Sequence, residues 1–198
     1  MSIEEINKTA NDIQKRLMDR EAQEYLAARE HRILVWGDYK PEEKKEQLIK
    51  IRDALREEGY PAFLQEDLKG NVEITDRDCS KLLVNGGINI IVKVDGDRIG
   101  SGVESELIMC NPELQLRTIF LTNQPFEIIC DIKNPHMYYP IYETYTTNEE
   151  LIIKAIGMVR KETYRRVRVS QNMHRVINRN SNNSNNENEG DKHEQSIL

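Results

Sequence analysis

The amino-acid sequence predicts an α/β fold: a three-layer sandwich on a mainly parallel sheet of about five strands, with an added N-terminal helix. Three observations carry this. Short apolar runs alternate with longer segments of helical periodicity, Gly or Pro bounds most of the runs, and the first run, Ile33-Leu34-Val35-Trp36, is continuously apolar, as a strand buried on both faces is.

Taken in order, residues 2 to about 31 lack Gly and Pro, and Ile3, Ile6, Ala10, Ile13 and Leu17 recur at helical spacing. Ser2 with Glu5 fits a capping box. The spacing predicts one long helix, or two parted near residues 18–20. Ile33, Leu34, Val35 and Trp36 form an apolar run that stops at Gly37, a buried strand followed by a turn. Pro41 suits a first helical turn, and Leu48, Ile51 and Leu55 carry that helix to a C-cap at Gly59. Residues 61–64 predict a second strand, 76–85 a helix, and 88–94 the clearest central strand. A helix over 103–109, a strand over 118–121 and a strand over 141–145 follow. Thr147 with Glu150 repeats the capping box before a helix to about Arg168. Beyond about residue 178 the chain is Asn-rich and almost without apolar side chains, too few to offset the entropy of ordering. The expected division is a helical extension over 1–31, an α/β domain over 32–170 and a disordered tail over 171–198.

Composition narrows the functional classes. A chain of 198 residues with a hydrophobic fraction of 38% fills one ordinary domain core. Charged residues at 31% and a net charge of -6 argue against a whole-chain nucleic-acid binder. No apolar run approaches the ~18 residues that cross a bilayer. The start Ser2-Ile3-Glu4-Glu5 lacks a charged-then-apolar signal segment, so the expected location is the cytoplasm, away from membranes. Cys79, Cys110 and Cys130 are widely spaced without a CxxC pair, which predicts reduced thiols in or near the core. His31, His136, His174 and His193 are too scattered to form a ligand cluster, so no metal is expected.

In parallel sheets ligands bind beyond the carboxyl ends of the strands, which directs attention to loops 37–40, 65–70 and 95–106. The third is the most informative, with Gly100, Ser101 and Gly102 preceding Glu104 and Glu106 at an expected helix start. Glycines let a ligand approach the backbone, and exposed helix N–H groups favour an anion. An acid there is also stabilised by the helix dipole whatever its function. The loop is neither a Walker motif nor a dinucleotide fingerprint.

The ordered set Trp36-Gly37-Asp38-Tyr39, Ala62-Phe63-Leu64-Gln65-Glu66-Asp67, the strand over 88–94 and Gly100-Ser101-Gly102-Val103-Glu104 resembles the nucleoside 2-deoxyribosyltransferase-like fold, to which TIR domains are related. It is similar, more closely, to an uncharacterised archaeal family of that type, over roughly residues 32–160. The resemblance implies a flavodoxin-like sheet and a glutamate that attacks or stabilises the anomeric carbon as an N-glycosidic bond breaks. Counting from Gly100 selects Glu104, the preferred assignment; counting from Gly102 selects Glu106, which the TIR pattern of an acid followed by Leu favours. The two side chains lie about 200° apart around a helix. Transferases usually carry Gly-Pro where this chain has Gly37-Asp38, and an aspartate two residues before the glycine of the catalytic turn, where this chain has Arg98 counting from Gly100 or Gly100 counting from Gly102. The implied site has Asp38 or Asp67 orienting the sugar, Tyr39 bordering the base, and Gly37, Gly100, Ser101 and Gly102 lining the crevice. The implied substrate is a nucleoside, nucleotide or NAD-like molecule, with no cofactor, and oligomers that complete a neighbour's site are common in that family.

Two other readings stand beside it. One is a nucleotide sensor or interaction module without turnover, with the N-terminal apolar stripe mediating dimerisation or packing on its own domain. The other is a nucleic-acid surface formed by Arg160, Lys161, Arg165, Arg166, Arg168, Arg175 and Arg179. A solvated basic helix face is preferred for that stripe, because the rest of the chain is acidic.

Overall fold

The computed structural model describes residues 3–39, 42–69, 83, 87–94, 108, 110–123 and 141–190. In chain order the elements are α1 (Ile3–Arg29), β1 (Ile33–Trp36), α2 (Glu42–Glu57), β2 (Ala62–Leu64), α3 (Gln65–Lys69), β3 (Ile90–Val94), α4 (Pro112–Gln115), β4 (Thr118–Thr122), β5 (Ile141–Thr144) and α5 (Asn148–Gly190).

All five strands pair in parallel, in the order β2-β1-β3-β4-β5. The three central strands, β1, β3 and β4, are buried at every position, which is why their sequences are apolar apart from Lys93, Thr118 and Thr122. At one edge β5 alternates half-buried and exposed positions.

Side chains alternate across the sheet and divide the core in two. On one face Ile33, Val35, Val92, Ile119 and Leu121 pack with Leu48, Ile51 and Leu55 of α2 and Leu151, Ala155 and Val159 of α5. On the other Leu34, Trp36 and Ile91 pack with Leu83, Ile108 and Leu114. A layer on each face makes the three-layer sandwich that the alternation of elements predicts.

Local signals explain the ends of the helices. Gly59, at φ +87, follows α2, where the Gly59 N–H donates to the Arg56 carbonyl at 2.9 Å and the Tyr60 N–H to the Leu55 carbonyl at 3.0 Å. This is the paired closure of a Schellman cap, and Tyr60 and Leu55 both lie in the core beside it. At the start of α5 the Glu150 N–H donates to the Thr147 hydroxyl at 3.2 Å, half of the expected capping box. The return contact goes one residue further, with both the Thr146 N–H and hydroxyl donating to Glu150 Oε2 at 2.7 and 2.6 Å.

Several elements differ from expectation. α1 does not: it takes the first of its two expected forms, one helix without a break at 18–20. α4 was not anticipated, although Asn111 before Pro112 is its signal: the Asn111 side chain accepts from the Glu113 and Leu114 N–H groups, and Pro112 opens the helix. α5 continues to Gly190, past Arg168 and through most of the segment 171–198 expected to lack order. No Pro or Gly stands between Gly157 and Gly190 to stop it. Cys110 is exposed, not in the core, because it lies in the turn before Asn111. The expected helices over 76–85 and 103–109 lie outside the described residues except for Leu83 and Ile108, both helical and buried. Cys79, Cys130 and Ser2 also lie outside the described residues.

The chain divides into two compact units, Arg29–Thr163 and Met1–Ala28 with Tyr164–Leu198, the second helical over its described residues, so α5 contributes to both. In the helical unit Glu24 is buried and accepts from Arg20 Nε at 2.8 Å and Arg168 Nε at 3.1 Å. Burial pushes its carboxyl toward neutrality, but the Arg168 and Arg20 contacts outweigh this and hold it below the usual carboxylate value.

Candidate functional site

A sheet in the order β2-β1-β3-β4-β5 changes direction between β1 and β3, because the chain leaves β1 toward one edge and β3 toward the other. The crevice beyond the carboxyl ends of those two strands is where such sheets bind ligands. Gly37 lies at its floor. A Cβ there would come within 2.9 Å of Leu48 Cδ2 and 3.0 Å of the Val94 carbonyl oxygen, so the glycine allows the ends of β1 and β3 to close together. The requirement is one of space, since Gly37 is not among the residues with positive φ.

Asp38 and Tyr39 follow, both half-buried. The Tyr39 hydroxyl donates to the Val35 carbonyl at 3.4 Å and accepts from the Gln65 N–H at 3.1 Å. Its ring borders both core clusters. Tyr39 therefore clasps the loop after β1 to the start of α3 after β2.

Asp67 holds the neighbouring turn. Its Oδ2 accepts from the Leu64 N–H at 2.8 Å and from Arg56 Nη2 at 3.1 Å, and Oδ1 accepts from Arg52 Nη1 at 3.4 Å. An acid in the first turn that takes the N–H preceding the helix is the return half of a capping box. The hydrogen bond from Arg52 to Asp53 raises the Arg52 pKa; burial opposes this, and the charges of Asp53 and Asp67 add to the rise. These partners give Asp67 a supporting part at the end of β2.

Gly100, Ser101, Gly102, Glu104 and Glu106 lie outside the described residues. The chain enters their segment from Val94, whose carbonyl faces Gly37. Among the described residues no group of three His, Cys, Asp or Glu side chains could hold a metal ion, and no helix is long and apolar enough to cross a membrane.

One residue at this end of the sheet went unremarked in the sequence. Lys93, next to the last residue of β3, is 1% exposed. It shares a register row with Trp36 of β1 and Phe120 of β4, and Phe120 with Tyr142 of β5. Its Nζ stands 5.7 Å from the centre of the Trp36 ring. The signal was available: a lysine inside the run Ile88-Asn89-Ile90-Ile91-Val92-Lys93-Val94 is out of keeping with a parallel strand covered on both faces.

The basic stripe is partly committed to contacts within the chain. Arg160 Nη2 donates to Glu58 Oε2 at 2.7 Å in the α/β unit, and Arg168 is paired with Glu24 in the helical unit. In that unit Ile6, Ile13 and Leu17 of the N-terminal stripe are 50%, 54% and 53% exposed.

No protein-family model, curated protein or solved structure matches the chain.

Proposed function

We propose that the chain binds a nucleoside-like small molecule in the crevice between β1 and β3 and acts on its N-glycosidic bond through Glu104, or through Glu106 in the alternative register. The observation that carries the reading is the strand order: it brings the Gly37–Asp38–Tyr39 loop to the end of β3, from which the glycine-rich segment with both glutamates departs. Breaking an N-glycoside builds positive charge at the anomeric carbon. A carboxylate beside it stabilises that charge or bonds to the carbon as the base leaves with the bonding electrons and takes a proton. Water or a second base then displaces the carboxylate. Asp38 orients the sugar in this reading, and Tyr39 with Asp67 keeps the crevice wall in position.

The test is release of free base from NAD and from a panel of nucleosides. Wild type releases base, and Glu104→Gln or Glu106→Gln lowers the rate by about a hundredfold or more. No release by wild type, or equal release by both variants, sinks the assignment.

A second reading, binding without turnover by a self-associating protein, draws support from the exposed Ile6, Ile13 and Leu17 stripe. Heptad spacing continues from Ile3 through Leu17, and pairing two copies of α1 in parallel register puts Arg16 of one opposite Glu21 of the other. Ligand binding that survives both glutamine substitutions, without base release, favours this reading.

A further inference from the structure

We propose that the outer part of α5 shares the self-association surface of α1, so that two copies of this chain join through four helices, α1 and residues 168–177 of α5 from each. The proposal rests on the self-association of the second reading above and is independent of any turnover. In α1 every position of residues 5–23 is exposed, and in α5 residues 168–177 are exposed apart from the half-buried Gln171. Each helix therefore stands in water on all sides once past the contact of Glu24 with Arg168 that joins them. Most helical stability in proteins comes from packing an amphipathic face rather than from propensity, so both stretches call for a cover.

Both stretches carry a face of the right kind. On α1 it is Ile6, Ala10, Ile13 and Leu17, at steps of four, three and four. On α5 it is Val169, Met173 and Val176, at steps of four and three, and these are 46%, 63% and 57% exposed. Such alternating steps form the seam along which packed helices interlock. Each seam runs about two heptads, fewer than the roughly three to four that mark a two-stranded coil, so pooling the seams of both helices gives the interface its length. Charge selects the occupant. Residues 164–177 hold Arg165, Arg166, Arg168 and Arg175 and no acid, so laying α5 against another α5 sets guanidinium beside guanidinium. α1 instead has Glu5, Asp12 and Asp19 in one row at seven-residue spacing. Of its bases, Arg20 is held by Glu24, Arg16 is matched by Glu21 in the α1 pair, and Lys8 and Lys15 fall on the side away from the seam. The α1 of a second copy thus offers α5 both an apolar seam and carboxylates. The patch is self-complementary, as a two-fold dimer requires.

Sedimentation equilibrium of the full chain is the test, with Leu17→Asp on α1, Met173→Asp on α5 and Ile153→Asp as control. Ile153 is 69% exposed on α5 but lies outside residues 168–177. Wild type associates, and each of the first two substitutions raises the dissociation constant about tenfold or more, because each puts a carboxylate into an apolar seam. Ile153→Asp leaves the constant unchanged. Trp36, the chain's single tryptophan, is buried in β1, so melting followed by its fluorescence checks that the α/β unit of each variant is folded as in wild type. Association of Met173→Asp at wild-type strength overturns the part given to α5; if Leu17→Asp is then monomeric, self-association through α1 alone is left standing. Weakening by Ile153→Asp as large as that by Met173→Asp also overturns the assignment to this seam. A wild type that is monomeric at every concentration overturns both this proposal and the second reading.

Discussion

Adding one methyl group at Gly37 tests how closely β1 and β3 are joined where the ligand is expected. The new Cβ would stand 2.9 Å from Leu48 Cδ2 and 3.0 Å from the Val94 carbonyl oxygen. Leu48 is 1% exposed, so its methyl has little room to withdraw, and the carbonyl belongs to a paired central strand. Overpacking of this kind costs about 1–3 kcal/mol. At roughly 3 °C per kcal/mol for a chain of this size, Gly37→Ala should lower the melting temperature by about 3–9 °C. The same chemical change at Gly157, in α5, is the control. No atom lies within 4 Å of a Cβ placed there. An exposed helical glycine replaced by alanine gains about 0.5–1 kcal/mol, or roughly 1–3 °C. Thermal denaturation followed by circular dichroism should therefore give shifts of opposite sign. Equal shifts, or a Gly37→Ala protein as stable as wild type, would refute the close junction of β1 and β3. Gly37→Ala should also weaken binding of the proposed ligand, since relief of the clash separates the two strand ends that form the crevice.

Three further outcomes follow from particular contacts. Glu24, with its carboxyl held below its unfolded value of 4.5, contributes stability that is complete above that value and lost as pH falls through the lower folded one; the difference in melting temperature between wild type and Glu24→Gln should close as the solution is acidified below pH 4.5. Thr147→Ala removes the N-cap of α5 and should cost about 1 kcal/mol in denaturant unfolding. Lys154 first, then the Thr146 hydroxyl and N–H, bring the Glu150 pKa down to about 2, so its part of the cap is full above pH 4.5 and disappears only as pH falls through about 2. Leu17→Asp should convert a self-associating wild type to monomer in sedimentation equilibrium without lowering the melting temperature of the α/β unit; a wild type that is monomeric at every concentration rejects the second reading.

Much of this was legible residue by residue. The Schellman cap at Gly59 and the Thr147 cap depend on neighbours within one turn, so local sequence is enough to place them. Asn111-Pro112 was equally readable as a helix start, and Lys93 as an intrusion in a central strand. Both lie beside apolar runs whose periodicity is the stronger local signal. Tyr39 could not have been read in the same way. Its hydroxyl meets the Gln65 N–H, 26 residues away, only because β1 and β2 are neighbours. Asp67 likewise takes up Arg52 and Arg56 because α2 packs beside the end of β2.

The sequence by itself determined the fold class, the strands, both ends of α1 and α2 and the start of α5, because those follow from periodicity, capping chemistry and the burial of apolar runs; α3, where a loop over 65–70 was expected, was not among them. Tertiary structure alone decided the strand order, and with it the meeting of Gly37 with Val94 and of Lys93 with Trp36. The physical reason is that the apolar strands have interchangeable faces and edges as far as local sequence is concerned. Which edge pairs with which is a choice of long-range hydrogen bonding, and that choice puts the buried Lys93 ammonium over the Trp36 ring at the sheet's reversal point.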